Sequence, residues 1–83
     1  MYLFDMKIEQ DIKVLSKVLN SKLFLERFPI ISRVAVDKYG GGIDVVIIPY
    51  DMNEYWKVKD KVEDFIFRLS ESSGIEHDYY IYP

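Results

Sequence analysis

The segment of residues 43–48, IDVVII, constrains the fold of this chain more than any other feature. From Val45 onward it is apolar on both faces of an extended strand, and a strand covered on both sides is usually central in its sheet. Gly40, Gly41 and Gly42 stand directly before it, and glycine reaches positive φ at no steric cost. Residues 30–38 alternate as a strand does. The two segments therefore predict a β-hairpin.

Two longer segments have the spacing of amphipathic helices. Residues 5–19 carry an apolar stripe at helical spacing, and Asp5 can cap the start of this helix. The second helix begins with a D-x-x-E signal at Asp51, runs to about residue 72 and has Gly74 as its stop. Residues 22–28 predict one further short helical turn before a proline.

The resulting element order predicts the fold class. Residues 75–82 are rich in Tyr and Ile and predict a final strand, which gives the order α-β-β-α-β. The helix between the last two strands makes those strands parallel. We therefore expect an α+β domain with a three-stranded mixed sheet and two helices on one face. A ferredoxin-like βαββαβ arrangement is the alternative if residues 2–4 pair as a strand.

Composition narrows the class of protein. A chain of 83 residues is expected to form a single domain, residues 1–83. The net charge of −3 argues against a general nucleic-acid binder, and the lack of cysteine excludes disulfides and thiolate chemistry. No apolar run exceeds four residues, so no membrane span is expected, and the N-terminal sequence lacks a signal-peptide pattern. We expect a cytoplasmic protein, and its few amides and many Lys and Glu residues are typical of a thermophilic source.

Two aromatic residues do not fit the apolar face of the second helix. Trp56 and Phe67 are eleven residues apart and share one stripe, which lies roughly 140° from the centre of the core face at about 100° per residue. Trp and Phe are enriched at the centres of protein interfaces. The stripe therefore predicts an interface. The alternatives are that the helix end curls, that the first helix covers the two side chains, or that they are simply exposed.

The sheet face opposite the helices raises the same question. Either Val46 and Ile48 or Val45 and Ile47 point to that side. An uncovered apolar face favours self-association, and two-fold symmetry is its commonest form. We therefore expect a homodimer or another protein partner.

The hairpin register determines the environment of the carboxylates. A four-residue loop places Asp37 directly across from Asp44, and two opposed like charges would suggest a metal or a basic ligand between them. A three-residue loop instead pairs Lys38 with Asp44 as an ordinary ion pair. Three-residue loops with glycine are common, so the second register is the expected one.

Two further polar residues are candidates for a site. Asp11 lies within the wide apolar arc of the first helix, where an edge position near a helix start is the more common explanation. His77 is the only histidine, and it lacks the companions that a metal site requires. No nucleotide-binding, zinc-binding or nucleophile-elbow motif is present, so no cofactor and no catalytic residue is predicted.

The run GGGIDVVIIP, following a strand in this element order, resembles the core of the minimal nucleotidyltransferase family. That family carries two metal-binding aspartates spaced D-x-D and a third acidic residue on its last strand. By this resemblance Asp44 matches the second aspartate and Asp78 the third. Gly42 occupies the place of the first, and the family's Gly-Ser pair is absent. The resemblance implies a degenerate relative with weak or no metal-dependent activity.

Three functions remain as hypotheses. The first is a non-enzymatic binding or assembly module that associates through the apolar sheet face or the Trp56/Phe67 stripe. The second is the degenerate metal-dependent domain, with Asp37, Asp44 and Asp78 around a divalent ion. The third is a single-stranded nucleic-acid binder, disfavoured by the acidic charge, that would stack bases on three exposed tyrosines, namely Tyr50, Tyr80 and Tyr82.

Overall fold

The computed structural model describes residues 3–83, with side chains from residue 7 onward. Within this range the predicted α+β class is confirmed. The elements are α1 (Leu3–Leu19), α2 (Lys22–Arg27), β1 (Ile31–Tyr39), β2 (Gly42–Pro49), α3 (Met52–Ser73) and β3 (Tyr79–Tyr82).

The sheet has the order β1-β2-β3, so β2 is the central strand, as its two apolar faces predict. β1 pairs with β2 antiparallel, and β2 pairs with β3 parallel. One face of β2 contributes Ile43, Val45 and Ile47 to the core, together with buried residues of all three helices. The core consists of Ile8, Leu15, Leu19, Phe24, Phe28, Ile31, Val34, Ile43, Val45, Ile47, Tyr55, Val62 and Ile66.

Both ends of α3 follow the local sequence signals. The Asp51 carboxylate accepts hydrogen bonds from the backbone N–H groups of Asn53 and Glu54, which would otherwise lack helical partners. Gly74 ends the helix with φ of 71°, in the left-handed region that favours glycine.

Several sequence expectations were wrong at the element ends. Helix α1 begins at Leu3, so Asp5 lies inside the helix and is not its cap. Because residues 3 and 4 are helical, the ferredoxin-like alternative is wrong for them, and residue 2 lies outside the described residues. β3 begins at Tyr79 and not at residue 75, and residues 75–78 form the loop between α3 and β3. By contrast, the short helical turn predicted at residues 22–28 is confirmed as a third helix, α2.

Candidate binding surfaces

The aromatic stripe of α3 is exposed. Trp56 and Phe67 are 54% and 52% accessible to solvent, so the first helix does not cover them. The Lys59 ammonium lies 5.9 Å from the centre of the Trp56 ring and forms an ion pair with Glu63. That partner raises the pKa of Lys59, and the ammonium remains charged beside the indole. The role of the stripe as an interface stays a prediction.

The stripe extends to the edge of the sheet. The Phe67 ring lies 5.8 Å from the ring of Tyr79, the first residue of β3. A groove of about 320 Å³ runs between α3 and β3 and is lined by Glu63, Phe67 and the four residues of β3. The exposed stripe and the open edge of β3 therefore form one continuous surface, which we call the β3 edge surface.

The two edges of the sheet differ in the hydrogen bonding of their outward-facing backbone N–H and C=O groups. At the β1 edge, the Asn20 amide accepts from the Val34 N–H at 2.9 Å and donates to the Val34 carbonyl at 2.8 Å. It also donates to the Ser16 carbonyl at 2.8 Å. Asn20 thus stands in for a strand partner beside β1. Among residues 3–83 no strand pairs with the outer side of β3.

The sheet face opposite the helices, here called the outer face, has a mixed composition. Val45 and Ile47 point to the core, which leaves Val46 and Ile48 on the outer face, where both are half-buried. Their β3 neighbours on this face are exposed tyrosines, Tyr80 and Tyr82. The outer face is therefore less uniformly apolar than the sequence alone suggests.

The hairpin register differs from the expected one. Asp37 pairs with Asp44, Lys38 with Ile43 and Tyr39 with Gly42, so the predicted ion pair between Lys38 and Asp44 is wrong. Within the hairpin, the turn between the two paired strands consists of Gly40 and Gly41. Gly40 makes this tight turn possible, with φ of 58°.

This register leaves two carboxylates opposed on the outer face. Asp37 accepts a hydrogen bond from the Lys38 backbone N–H at 2.8 Å. The Oδ1 atom of Asp44 is buried and has no hydrogen-bond partner among the described residues. A buried acceptor without a donor is destabilising, as are like charges directly opposed on a sheet.

We expect Asp44→Asn to raise the free energy of unfolding by about 0.5–1 kcal/mol, because it removes a repulsion across the strands. The measurement is urea unfolding followed by circular dichroism. The gain should shrink at high salt, which screens the repulsion in the original protein. Glu71→Gln, an exposed carboxylate on α3, should leave stability unchanged. A loss of stability in Asp44→Asn would contradict this account.

A second groove, of about 480 Å³, lies on the outer face at the hairpin end. Its lining includes tyrosines from β1 and β3 and the three consecutive glycines. A Cβ atom on Gly42 would lie 2.8 Å from the Asp78 carbonyl oxygen and 3.6 Å from the Tyr80 ring. A side chain at Gly42 would therefore push against the start of β3. The groove is lined by Tyr39, Gly40, Gly41, Gly42, Asp78, Tyr80 and Tyr82.

The described side chains do not form the metal site that was predicted from Asp37, Asp44 and Asp78. Among the described side chains, no group of three His, Cys, Asp or Glu residues is arranged to hold a metal ion. Asp37 and Asp44 are cross-strand partners, and Asp78 lines the neighbouring groove. They lie at the same end of the outer face without forming a three-ligand group.

Asp11 and His77, which the sequence left as separate candidates, contact each other. The Asp11 Oδ2 atom lies 2.8 Å from His77 Nδ1 and accepts from the Glu76 N–H at 3.3 Å. Because a carboxylate only accepts, we assign the hydrogen of this bond to Nδ1. Burial raises the pKa of Asp11, but these hydrogen bonds and the Lys7 charge at 3.5 Å lower it by more, so the pKa lies below its usual value of 3.8. The pair fixes the loop before β3 against α1.

No known protein family, curated protein or solved structure matches this chain. Among residues 3–83, no helix combines the length and the apolar character needed to cross a membrane. The surfaces described above are therefore the observations on which a function can be argued.

Proposed function

We propose that this chain is a non-enzymatic, cytoplasmic assembly module that forms a homodimer through the β3 edge surface. The observation that supports this most directly is the contrast between the two sheet edges. Asn20 satisfies the backbone of Val34 in the middle of the β1 edge with two hydrogen bonds, whereas β3 has no partner on its outer side among the described residues. An edge strand left open is a ready template for another strand.

The backbone of β3 is suited to such pairing. The Asp78 carbonyl accepts from the Ile43 N–H at 2.9 Å, so it points towards β2. Alternate residues of a strand direct their backbone groups to alternate sides, so those of Tyr79 and Ile81 face the open edge. The strand itself, YYIY, has no charged residue of the kind that discourages edge pairing.

The side chains around this edge add contact area. Phe67 lies above the edge against Tyr79, and Trp56 extends the same stripe along α3. Antiparallel pairing of two β3 strands about a two-fold axis would place the two α3 stripes on either side of the new seam. Aromatic residues would then occupy the centre of the interface, where they contribute most to binding.

The covered β1 edge limits the size of the assembly. Pairing through β3 joins two three-stranded sheets into one of six strands, whose outer edges are both β1. Because Asn20 already satisfies Val34 at that edge, a further strand would have to displace Asn20 there. The arrangement therefore favours a closed dimer over a filament.

Phe67→Glu tests the proposal, because it places a charge in the aromatic interface. We expect it to weaken self-association at least about tenfold in sedimentation velocity experiments. Trp56→Ala should weaken it less, since it only removes contact area. The matched control is Leu23→Glu, because Leu23 is 77% exposed on α2, away from β3. A protein that is monomeric at high micromolar concentration, or equal losses in Phe67→Glu and Leu23→Glu, would refute the proposal.

A further inference from the structure

The groove at the hairpin end of the outer face combines exposed tyrosine rings with nearby carboxylates. Tyr39, Tyr80 and Tyr82 line it and are 71%, 54% and 46% exposed. Tyrosine rings exposed beside glycines offer flat faces on which a planar group can stack. This end of the face therefore offers aromatic surfaces on which a planar group can stack.

The charged side chains near the groove on the outer face are carboxylates. Asp78 lines it, and the opposed pair Asp37 and Asp44 lies in the next row of the sheet. None of the three forms an ion pair with a side chain of residues 7–83. The cation on the same face, Arg33, lies four residues from Asp37 along β1, or roughly 13 Å at 3.3 Å per residue.

Asp44, in the row of the sheet next to the groove, also has an acceptor atom without a hydrogen-bond donor. Asp44 Oδ1 is shielded from solvent and accepts no hydrogen bond from any described residue. Such a buried acceptor costs free energy unless a donor reaches it. Its cross-strand neighbour on β3 is Tyr80, a residue that lines the groove.

We infer that this groove binds an arginine side chain from an extended segment of a protein partner. A guanidinium is planar and stacks on aromatic rings, and its several N–H donors match carboxylates better than an ammonium does. Single-stranded nucleic acid would also stack on tyrosines, but its phosphates would be repelled by three uncompensated carboxylates. Charge complementarity therefore selects the basic peptide.

This site shares Tyr80 and Tyr82 with the β3 edge surface but lies on the outer face of the sheet. Pairing through β3 extends the sheet sideways and leaves the outer face open. Peptide binding can therefore be measured in the Phe67→Glu variant as well as in the original chain. Peptide binding by an original chain that does not dimerise would refute only the assembly proposal.

The test is calorimetric titration with a blocked glycine peptide that contains two arginines. We expect binding that weakens with salt, and weaker binding of the same peptide with lysines. Asp44→Asn and Tyr80→Leu should each weaken binding about fivefold or more, whereas Tyr80→Phe keeps the ring and should retain it. Asp44→Asn should at the same time raise the melting temperature, a combination that a purely structural role of Asp44 would not produce.

Glu71→Gln and Tyr50→Leu are the controls, since both side chains are exposed away from the groove. Absence of peptide binding by the original chain at millimolar concentration would overturn the inference. So would equal losses in the control variants, or an oligothymidylate that binds more tightly than the peptide. Binding of Mg²⁺ that Asp44→Asn abolishes, without any peptide binding, would assign these carboxylates to a metal instead.

Discussion

Asn20→Ala is expected to lower the free energy of unfolding by about 2–3 kcal/mol, because three hydrogen bonds lose a partner at once. Two of them satisfy the N–H and C=O groups of Val34, a residue that is 2% exposed. Water reaches these groups poorly after the substitution, so each retains part of its desolvation cost. The measurement is urea unfolding of both proteins under identical conditions.

Asn53→Ala is the matched control, because Asn53 is the only other asparagine and its side chain is exposed. We expect its effect to stay within about 0.5 kcal/mol. The Asn20 variant should also associate more strongly at high concentration, because its β1 edge becomes available. A loss below about 1 kcal/mol would show that Asn20 does not satisfy the edge as described.

The elements that the sequence predicted correctly depend on local chemistry. Asp51 and Gly74 mark the ends of α3 through their own backbone preferences, and the two-sided apolar pattern of residues 45–48 requires a central strand. Such signals act over a few residues and can be interpreted without knowledge of the tertiary structure.

The hairpin register could not be deduced in the same way. Since β2 is apolar on both faces, either register gives a consistent core, and periodicity cannot distinguish them. The register depends on how many of the three glycines lie in the turn and how many pair within the strands. Gly42 stays within β2, where the close approach of Asp78 requires the absence of a side chain.

The contacts that the sequence could not predict join distant residues. Asp11 and His77 are 66 positions apart, and Asn20 and Val34 are 14 apart. The sequence gives a weak signal for each contact. Asp11 is an acidic residue within the apolar arc of a helix, and Asn20 is one of only two asparagines and lies at a helix end. Neither signal identifies the residue that Asp11 or Asn20 contacts, because that contact depends on how the helices and strands pack.

A pH-dependent effect on stability is expected from Asp11, which is 2% exposed and holds the loop before β3. Asp11→Ala removes the acceptor for His77 Nδ1 and for the Glu76 N–H, and should cost about 2–3 kcal/mol near neutral pH. Asp11→Asn keeps one acceptor oxygen and should cost less. Both values come from urea unfolding followed by circular dichroism.

The sign of the pH dependence follows from the lowered pKa of Asp11. The folded protein binds this proton less readily than the unfolded chain, so the carboxylate stabilises the fold above the ordinary pKa of 3.8. That contribution is lost as the pH falls below 3.8 and through the folded-state pKa. The difference between the original protein and Asp11→Asn should therefore narrow over this range. Glu9→Gln, an exposed neighbour on α1, should keep the original acid dependence, and an unchanged acid limb in Asp11→Asn would contradict the assignment.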